Sequence, residues 1–431
     1  MGTKMKESGI PWIGMIPDNW EVKRLKEVFV ECKEKSLDGA GELLSLSQYT
    51  GVQQKKDTDK AGTHESETYE GYNVVHKGQL VMNIMLAWNG SYAISDYDGI
   101  ISPAYCVFDF RIDCAKQYFH YLLRTNGYPS AFKTLSRGII DSRLRLYPEQ
   151  FYTFPTIFPP LPTQQRIADF LDRKCAEIDK LAALQETMIA ELKRYKQSVI
   201  TEAVTKGLDP DVPMKDSGVE WIGEIPERWE VTRFYKVNNI RGRLGWKGLK
   251  AEEYQESGYP FLSAFNINND KLDWSDLNFI NKDRYDESPE IKLSVGDVLI
   301  VKDGAGIGKC ARISELPYGE STVNSSIAVI TPPSFLDYGY LYYYILSNPF
   351  QRVIWFLKIG MGVPLLTQEN MRNIKMPFPP LAEQRTIADY LDRKCAEIDE
   401  LIAIKQQKIE ALKEYKKSVI FEYVTGKKEI L

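Results

Sequence analysis

The sequence predicts an α+β protein: two mixed α/β globular domains joined by two long antiparallel coiled-coil helices, the whole forming a pseudo-twofold tandem repeat. Three observations carry this expectation. The stretch LDRKCAEID occurs at 171–179 and again at 391–399, and a constant offset of 220 aligns 158–205 with 378–425 at about 30 of 48 positions, self-similarity far beyond chance. From Leu171 the apolar or sulfur positions Cys175, Ile178, Leu181, Leu184, Met188, Leu192, Tyr195 and Val199 advance by about 3.5 residues, and Leu391, Cys395, Ile398, Leu401, Ile404, Ile409, Leu412, Tyr415 and Val419 repeat the pattern, which is the coiled-coil period. Finally, 5–24 (MKESGIPWIGMIPDNWEVKR) reappears at 214–233 (MKDSGVEWIGEIPERWEVTR) with an offset of 209. The matching ends bracket two inserts that match poorly, so a common frame carries two different payloads.

The chain divides accordingly. Residues 1–157 hold the first frame segment and first globular domain, 158–206 the first long helix, 207–377 a linker, the repeated frame segment and the second domain, and 378–431 the second long helix with a tail. Neither helix contains Pro or Gly between 163 and 206 or between 382 and 425, so about 40 residues, or about 60 Å, run uninterrupted. In the first insert 41–48, 79–86 and 104–110 alternate apolar and polar residues and read as strands, 118–123 as a short helix, and LSRGIIDSRLRL at 135–146 as a basic loop or strand pair. The second insert shows the same grammar: strands near 295–302 and 325–330, an aromatic helix at 340–346, and LKIGMGVPLL at 357–366. A local offset of 222 pairs Asn126 with Asn348 and Gly138 with Gly360, so both inserts are expected to share one fold. Only GLDPDVP at 207–213 separates the first helix from the second repeat. The second helix therefore buries its seam most simply by running back antiparallel, so that 5–24 meets the end of helix two as 214–233 meets the end of helix one.

Composition narrows the function classes. The chain has 431 residues, 43% hydrophobic and 26% charged, with a net charge of −4, enough apolar matter for several cores. No apolar run nears membrane-spanning length and MGTKMKESG at the start has no signal-peptide core, so the expectation is a cytoplasmic protein without membrane contact. Six cysteines make no CxxC pair and there are three histidines, which points to buried thiols and no metal site.

Motifs for catalysis fail on inspection. DGAGIGKC at 303–310 has Asp303 where a phosphate-binding loop needs its first Gly and Cys310 where it needs Ser or Thr, and reads as a structural turn. Asp286, Glu290 and Lys292 resemble a nuclease cluster only as many polar loops do, with nothing comparable in the first repeat. SNPF at 347–350 lacks the second Pro of an adenine methyltransferase motif. The chain is built to hold and to recognise. Its basic residues are unevenly spread: 231–250 has Arg233, Lys236, Arg241, Arg243, Lys247 and Lys250 and no acid, and RGRLGWKG interleaves Gly, Arg and Trp246. In the first insert Arg111, Lys116, Arg124, Lys133, Arg137, Arg143 and Arg145 face only Asp113 and Asp141 within that stretch. Either stretch alone reads as a solvated face; one in each repeat points to nucleic acid.

The combination of WIGxIPxxWEVxR, FPPLxxQ leading into LDRKCAEID, a long helix ending in SVI-x-E-x-VT, and the duplication of this unit resembles the specificity subunit of type I restriction-modification systems over nearly the full chain. The resemblance implies two target recognition domains that each read one half of a bipartite double-stranded DNA site, with the helices spacing them and docking DNA adenine methyltransferase (modification) subunits, two in number, and with restriction endonuclease and translocase subunits as further partners. It implies no catalytic residue and no cofactor in this chain, S-adenosylmethionine, Mg and ATP belonging to the partner subunits. RGRLGWKGL looks like a Gly-basic segment of such domains, which makes Arg241, Arg243, Trp246 and Lys247 DNA-contact candidates. The first domain lacks it, so its candidates are Gln48, Tyr49, Arg137, Arg143 and Arg145. The seam candidates are Leu171, Ile178, Leu181, Met188, Leu192, Leu391, Ile398, Leu401 and Leu412. The rival reading, a non-enzymatic coiled-coil scaffold joining two protein-binding domains, needs no basic loops and no salt-dependent DNA binding.

Overall fold

A computed structural model describes residues 4–55, 68–138, 140, 143–237, 239–243, 249, 251–304, 306–359 and 366–430, without the side chains of 251 and 357–359. It divides into two compact units, Met1–Gln185 with Gln407–Leu431, and Glu186–Gln406. Each unit thus contains one frame segment, one mixed domain and a stretch of both long helices, Leu161–Lys206 and Leu381–Val424.

In the first unit the frame segment forms a hairpin, Met5–Glu7 on Met15–Pro17, and then a strand, Glu21–Arg24, that pairs antiparallel with Pro155–Phe158 just before the long helix. WIGxIP and the following Trp are explained by packing: Ile13, Ile16 and Trp20 are all buried. The domain's main sheet runs Phe29–Cys32, Tyr105–Phe110, Leu80–Asn83, Tyr92–Ile94, each pair antiparallel. One face packs on the helices Lys116–Leu123 and Gly127–Leu135 through an aromatic core that includes Phe29, Phe108, Tyr118, Phe132 and Phe151. The other face closes over a smaller cluster of Leu44, Val52, Val81 and Val107.

The second unit repeats this order. Met214–Asp216 pairs with Glu224–Pro226, Glu230–Arg233 with Lys375–Phe378, and the sheet runs Asn239–Arg241, Ile327–Thr331, Val298–Val301, Cys310–Arg312. First strand at one edge, last strand beside it, middle strands beyond: the two inserts have the same topology, as their shared grammar predicts. The second insert adds a sheet of Asn278–Ile280, Tyr259–Leu262 and Thr322–Val323. The predicted strands and the helices Lys116–Leu123 and Tyr338–Leu346 are present. The helices that follow each of them, Gly127–Leu135 and Asn348–Ile359, were not foreseen.

FPPLxxQ ties each domain to its helix. Gln164 is fully buried, its amide nitrogen donating to Pro159 O at 2.8 Å while its carbonyl accepts from Ala115 N at 3.0 Å. Gln384 does the same with Pro379 O and Asp337 N, both at 2.8 Å. A buried amide must find such partners, and here they fix where the chain turns into the helix. The returning helices are tied too. In the first unit Tyr118 donates to Val424 O at 2.8 Å and Lys427 to Met15 O at 2.5 Å. In the second, Tyr340 donates to Val204 O at 3.1 Å and Pro377 O at 3.0 Å. The frame segments therefore meet the helix ends as expected. Gly426, at φ +71°, ends the second helix where a Cβ would lie 2.5 Å from Pro17 and 2.9 Å from Trp20, so glycine serves both the left-handed turn and the close approach.

Within each unit the helical stretches run antiparallel. Phe170 packs on Tyr423 with tilted rings and Lys416 pairs with Asp179 at 2.7 Å in the first unit; Lys196 pairs with Asp399 at 2.7 Å and Lys405 approaches Met188 Sδ at 3.3 Å in the second. The seam departs from the predicted one. Leu171, Ile178, Leu391 and Ile398 are buried and Met188, Leu192 and Leu412 half-buried, but Leu181 is 41% and Leu401 47% exposed. The inward positions alternate strictly by four and three: 171, 175, 178, 182, 185, 189, 192, 196, 199, 203, and 391, 395, 398, 402, 405, 409, 412, 416, 419, 423. This is the true heptad. It passes through Ala182, Gln185, Lys196, Lys405 and Lys416, which the apolar count skipped in favour of Leu181, Leu184, Tyr195, Ile404 and Tyr415, each one position away.

Candidate nucleic-acid interface

In the first domain Gln48 and Tyr49 occupy the turn between the paired strands Leu44–Ser47 and Gly51–Gln54. The turn is braced from within: the half-buried Arg124, itself bonded to Tyr92 O at 3.1 Å, donates to Gln48 O at 2.7 Å and Tyr49 O at 3.4 Å. Gln48 is half-buried and the Tyr49 ring exposed. In the basic stretch 135–146 the described residues include one isolated antiparallel bridge, with reciprocal backbone bonds of 2.9 Å between Arg137 and Arg145. Arg137 and Arg143 are exposed, while Arg145 is half-buried and donates to Leu144 O at 2.8 Å. Gly138 lies so close to the chain at Arg143 that a Cβ would sit 2.6 Å from Arg143 O. Leu146 N donates to Ile84 O at 2.8 Å, and Lys133 sits 5.1 Å over the Trp88 ring. The end of helix Gly127–Leu135, the Arg137–Arg145 bridge and the segment after strand Leu80–Asn83 therefore lie side by side.

The second domain corrects two candidates. Arg241 has five guanidinium N–H groups, and five bonds use them: Nε and Nη2 to Thr331 Oγ1 at 3.0 and 2.7 Å, Nη1 to Glu290 O and Lys292 O at 3.1 and 2.9 Å, and Nη2 to the fully buried Asp297 carboxylate at 2.7 Å. Arg241 is a cross-brace of the domain and has no donor left for DNA. The Arg243 side chain is 7% exposed and lies 3.9 Å from Glu287; it also points inward. Trp246 and Lys247 lie outside the described residues. The physical reason for the correction is that Arg241 sits in the edge strand Asn239–Arg241 of the main sheet, beside a buried acid.

The failed catalytic motifs also find structural places. Residues 303, 304 and 306–309 lie in the turn between strands Val298–Val301 and Cys310–Arg312, with Val301 N bonded to Lys309 O and Gly308 N to Val301 O. Asp286 is held below its usual range by its hydrogen bond from Lys292 at 2.6 Å. Among the described residues no group of three or more His, Cys, Asp or Glu side chains could hold a metal ion.

Sequence reasoning missed one exposed group. On helix Asn348–Ile359, Arg352, Trp355 and Phe356 share the outward face. The i, i+3, i+4 spacing was the available signal, but the helix itself had not been expected.

Two domains of one topology, each tied to its stretch of the long helices, carry different outer faces: Arg137, Arg143 and the Lys133–Trp88 contact in the first, Arg352, Trp355 and Phe356 in the second. Residues 17–194 and 226–414 match the family model of the type I restriction modification DNA specificity domain, and the chain belongs to that family. It is 25% identical over 96% of its length, and 93% of the relative's, to the type I restriction enzyme MjaVIII specificity subunit of Methanocaldococcus jannaschii. It is 29% identical over 48% of its length, and 44% of the relative's, to the EcoKI specificity subunit of Escherichia coli. The fold is shared with a chain solved for the assembly and conformational transition of the type I R-M system, at TM-score 0.70 and 17% identity, covering 95% of this chain and 98% of that one. It is also shared with the HsdS subunit from Thermoanaerobacter tengcongensis, at TM-score 0.51, 17% identity and the same coverage. Such a subunit recognises DNA sequence for a restriction-modification complex and is its non-catalytic part, which sets aside the scaffold reading. Among the described residues no helix is long and apolar enough to cross a membrane.

Proposed function

We propose that each mixed domain reads one half of a bipartite, asymmetric DNA target, and that the paired helices set the gap between the halves and dock the modification subunits. The observation that carries this is the pairing of one topology and one set of helix ties with two different outer faces, Arg137, Arg143 and the Lys133–Trp88 contact on the first domain and Arg352, Trp355 and Phe356 on the second. A symmetric frame with dissimilar readers suits an interrupted, asymmetric site, as half-site spacing in dimeric readers mirrors protein symmetry. Docking has its own support. Leu181 and Leu184 are exposed in the first unit with Tyr415, and Leu401 and Ile404 in the second with Tyr195. These are repeat-equivalent sets at the 220-residue offset, two like apolar faces for two like partners, and large exposed apolar side chains on a charged helix mark such contacts. Adenine methylation, with its S-adenosylmethionine, then belongs to those subunits, ATP- and Mg-dependent cleavage to restriction subunits, and the assembly to the cytoplasm.

The test lengthens the helices. Inserting seven residues after Gln185 and seven after Lys405 keeps the heptad and adds about 10 Å, about three base pairs. Methylation with the partner subunits on DNAs differing only in spacer should shift its optimum by that amount, each half-site unchanged. A folded, partner-bound variant with the original optimum would show that the helices do not measure DNA.

A further inference from the structure

Resting on the DNA-reading assignment above, we propose that the second domain grips the duplex with an aromatic pair that no motif announces, Trp355 and Phe356 on helix Asn348–Ile359, with Arg352 beside them on a phosphate. The helix is anchored on its other face, where Phe350 and Ile354 are buried and Phe350 meets Phe234 at 5.7 Å. Its outward face should then be polar. Instead Trp355 is 57% and Phe356 55% exposed, held as a T-shaped pair at 5.3 Å, with the Arg352 guanidinium 5.6 Å over the Phe356 ring. Two adjacent exposed large aromatics are informative where one would be ordinary. Arg352 reaches Glu220 only at 3.8 Å, both side chains well exposed, and such a pair is readily exchanged for a phosphate.

The occupant follows from the repeat. At the local offset of 222, Trp355 falls on Lys133, which lies over the Trp88 ring in the first domain. Each domain therefore sets a cation of this helix over an aromatic ring, Lys133 over Trp88 of the Ala87–Asn89 turn in the first and Arg352 over Phe356 of the helix itself in the second. In the first domain the chain leaving this helix carries Arg137, bridged to Arg145, so exposed and half-buried basic side chains follow the helix end directly. A cation beside a ring suits a polyanion with apolar base and sugar edges: the ring takes thymine methyl or deoxyribose contacts, or wedges at a base step, while the guanidinium takes the phosphate. Apolar contacts from this pair, where the first domain uses Lys133 and Trp88, also make the two halves of the target differ.

The experiment uses the full chain and a pool of random-sequence duplexes. Wild type selects its bipartite motif, and the duplex carrying it is the probe for anisotropy titrations at several salt concentrations. The variant Trp355→Ala with Phe356→Ala should bind this probe about tenfold more weakly and select a motif degraded in one half only, with an unchanged melting temperature because both rings are exposed. Trp355→Phe with Phe356→Tyr should restore both readouts, and Lys133→Gln should degrade the opposite half. An unchanged motif and affinity in the double alanine variant overturns the proposal. So does a variant that keeps the motif but no longer co-purifies with the modification subunit, which would give the face to that partner. A wild type that selects no bipartite motif sinks the DNA-reading assignment itself, and this proposal with it.

Discussion

The two repeats agree where domain meets helix and disagree away from it. Tyr121 donates to Asp172 at 2.6 Å in the first unit and Tyr343 to Asp392 at 2.6 Å in the second, positions that coincide at the repeat offsets, as do the buried Gln164 and Gln384. Elsewhere the second domain adds a three-stranded sheet and the Arg241–Asp297 brace. Arg312 also joins Asp392 at 2.8 Å and lies near three tyrosine rings. The frame segments diverge at one point: Trp12 packs so closely on Gly127 that a Cβ there would sit 2.1 Å from its ring, whereas at the equivalent place Pro349 replaces the glycine and Trp221 lines an open groove with Arg352. The lesson is that ties holding a domain's position were kept in duplicate, while bracing and surface were free to change.

The largest test of this contrast is Arg241→Ala. Removing one partner of a buried pair leaves Asp297 uncompensated and should cost about 3–5 kcal/mol, in the second unit alone. Hydrogen exchange should show lost protection in strands Asn239–Arg241, Val298–Val301 and Ile327–Thr331, with the first unit as in wild type. Intact protection together with lost DNA binding would return Arg241 to the list of DNA contacts.

Acid should separate the units next. Burial, with Arg124 adding to it, pushes His120 down to about 4 from a usual 6.5, whereas Tyr342 holds the equivalent place in the second repeat. Between those values the unfolded chain binds the extra proton and the folded chain does not. The stabilising contribution is therefore complete above pH 6.5 and is lost as pH falls toward 4, on the order of 3 kcal/mol. Denaturant midpoints of wild type and His120→Gln measured across pH 7 to 4 should converge on acidification. Parallel curves would count against it.

The smallest effect compares the shared ties. Tyr121→Phe should cost about 1 kcal/mol, and Tyr343→Phe less, because the charged Arg312 still holds Asp392 where only the neutral Gln117 amide still holds Asp172. The reverse order in thermal denaturation would mean that Arg312 leans on Tyr343 and not the other way round.

These contrasts explain what was legible in the sequence. Gln164, Tyr118, Trp20 and the heptads must satisfy the same geometry twice, so comparing the chain with itself exposed the frame, the topology and the antiparallel pairing. The reading surface has no such check. Arg241 and Trp355 are both large residues in stretches without acids, but one is consumed by a buried carboxylate far along the chain and the other is left outside by a helix face that only packing defines. Leu181 and Leu401 misled for the related reason that hydrophobicity does not say whether a residue faces its sister helix or another protein.

The lysines inside the seam repeat one contact. Shift the second helix back by the 220-residue offset and Asp399 becomes Asp179 while Lys416 becomes Lys196, so the contacts Lys196–Asp399 and Lys416–Asp179 are a single pair written twice. A chain with one repeat could meet its own copy through that same pair, isologously. Each long helix thus carries both halves of the contact, an aspartate in its first half and a lysine in its second, and so holds what a second copy of itself would need.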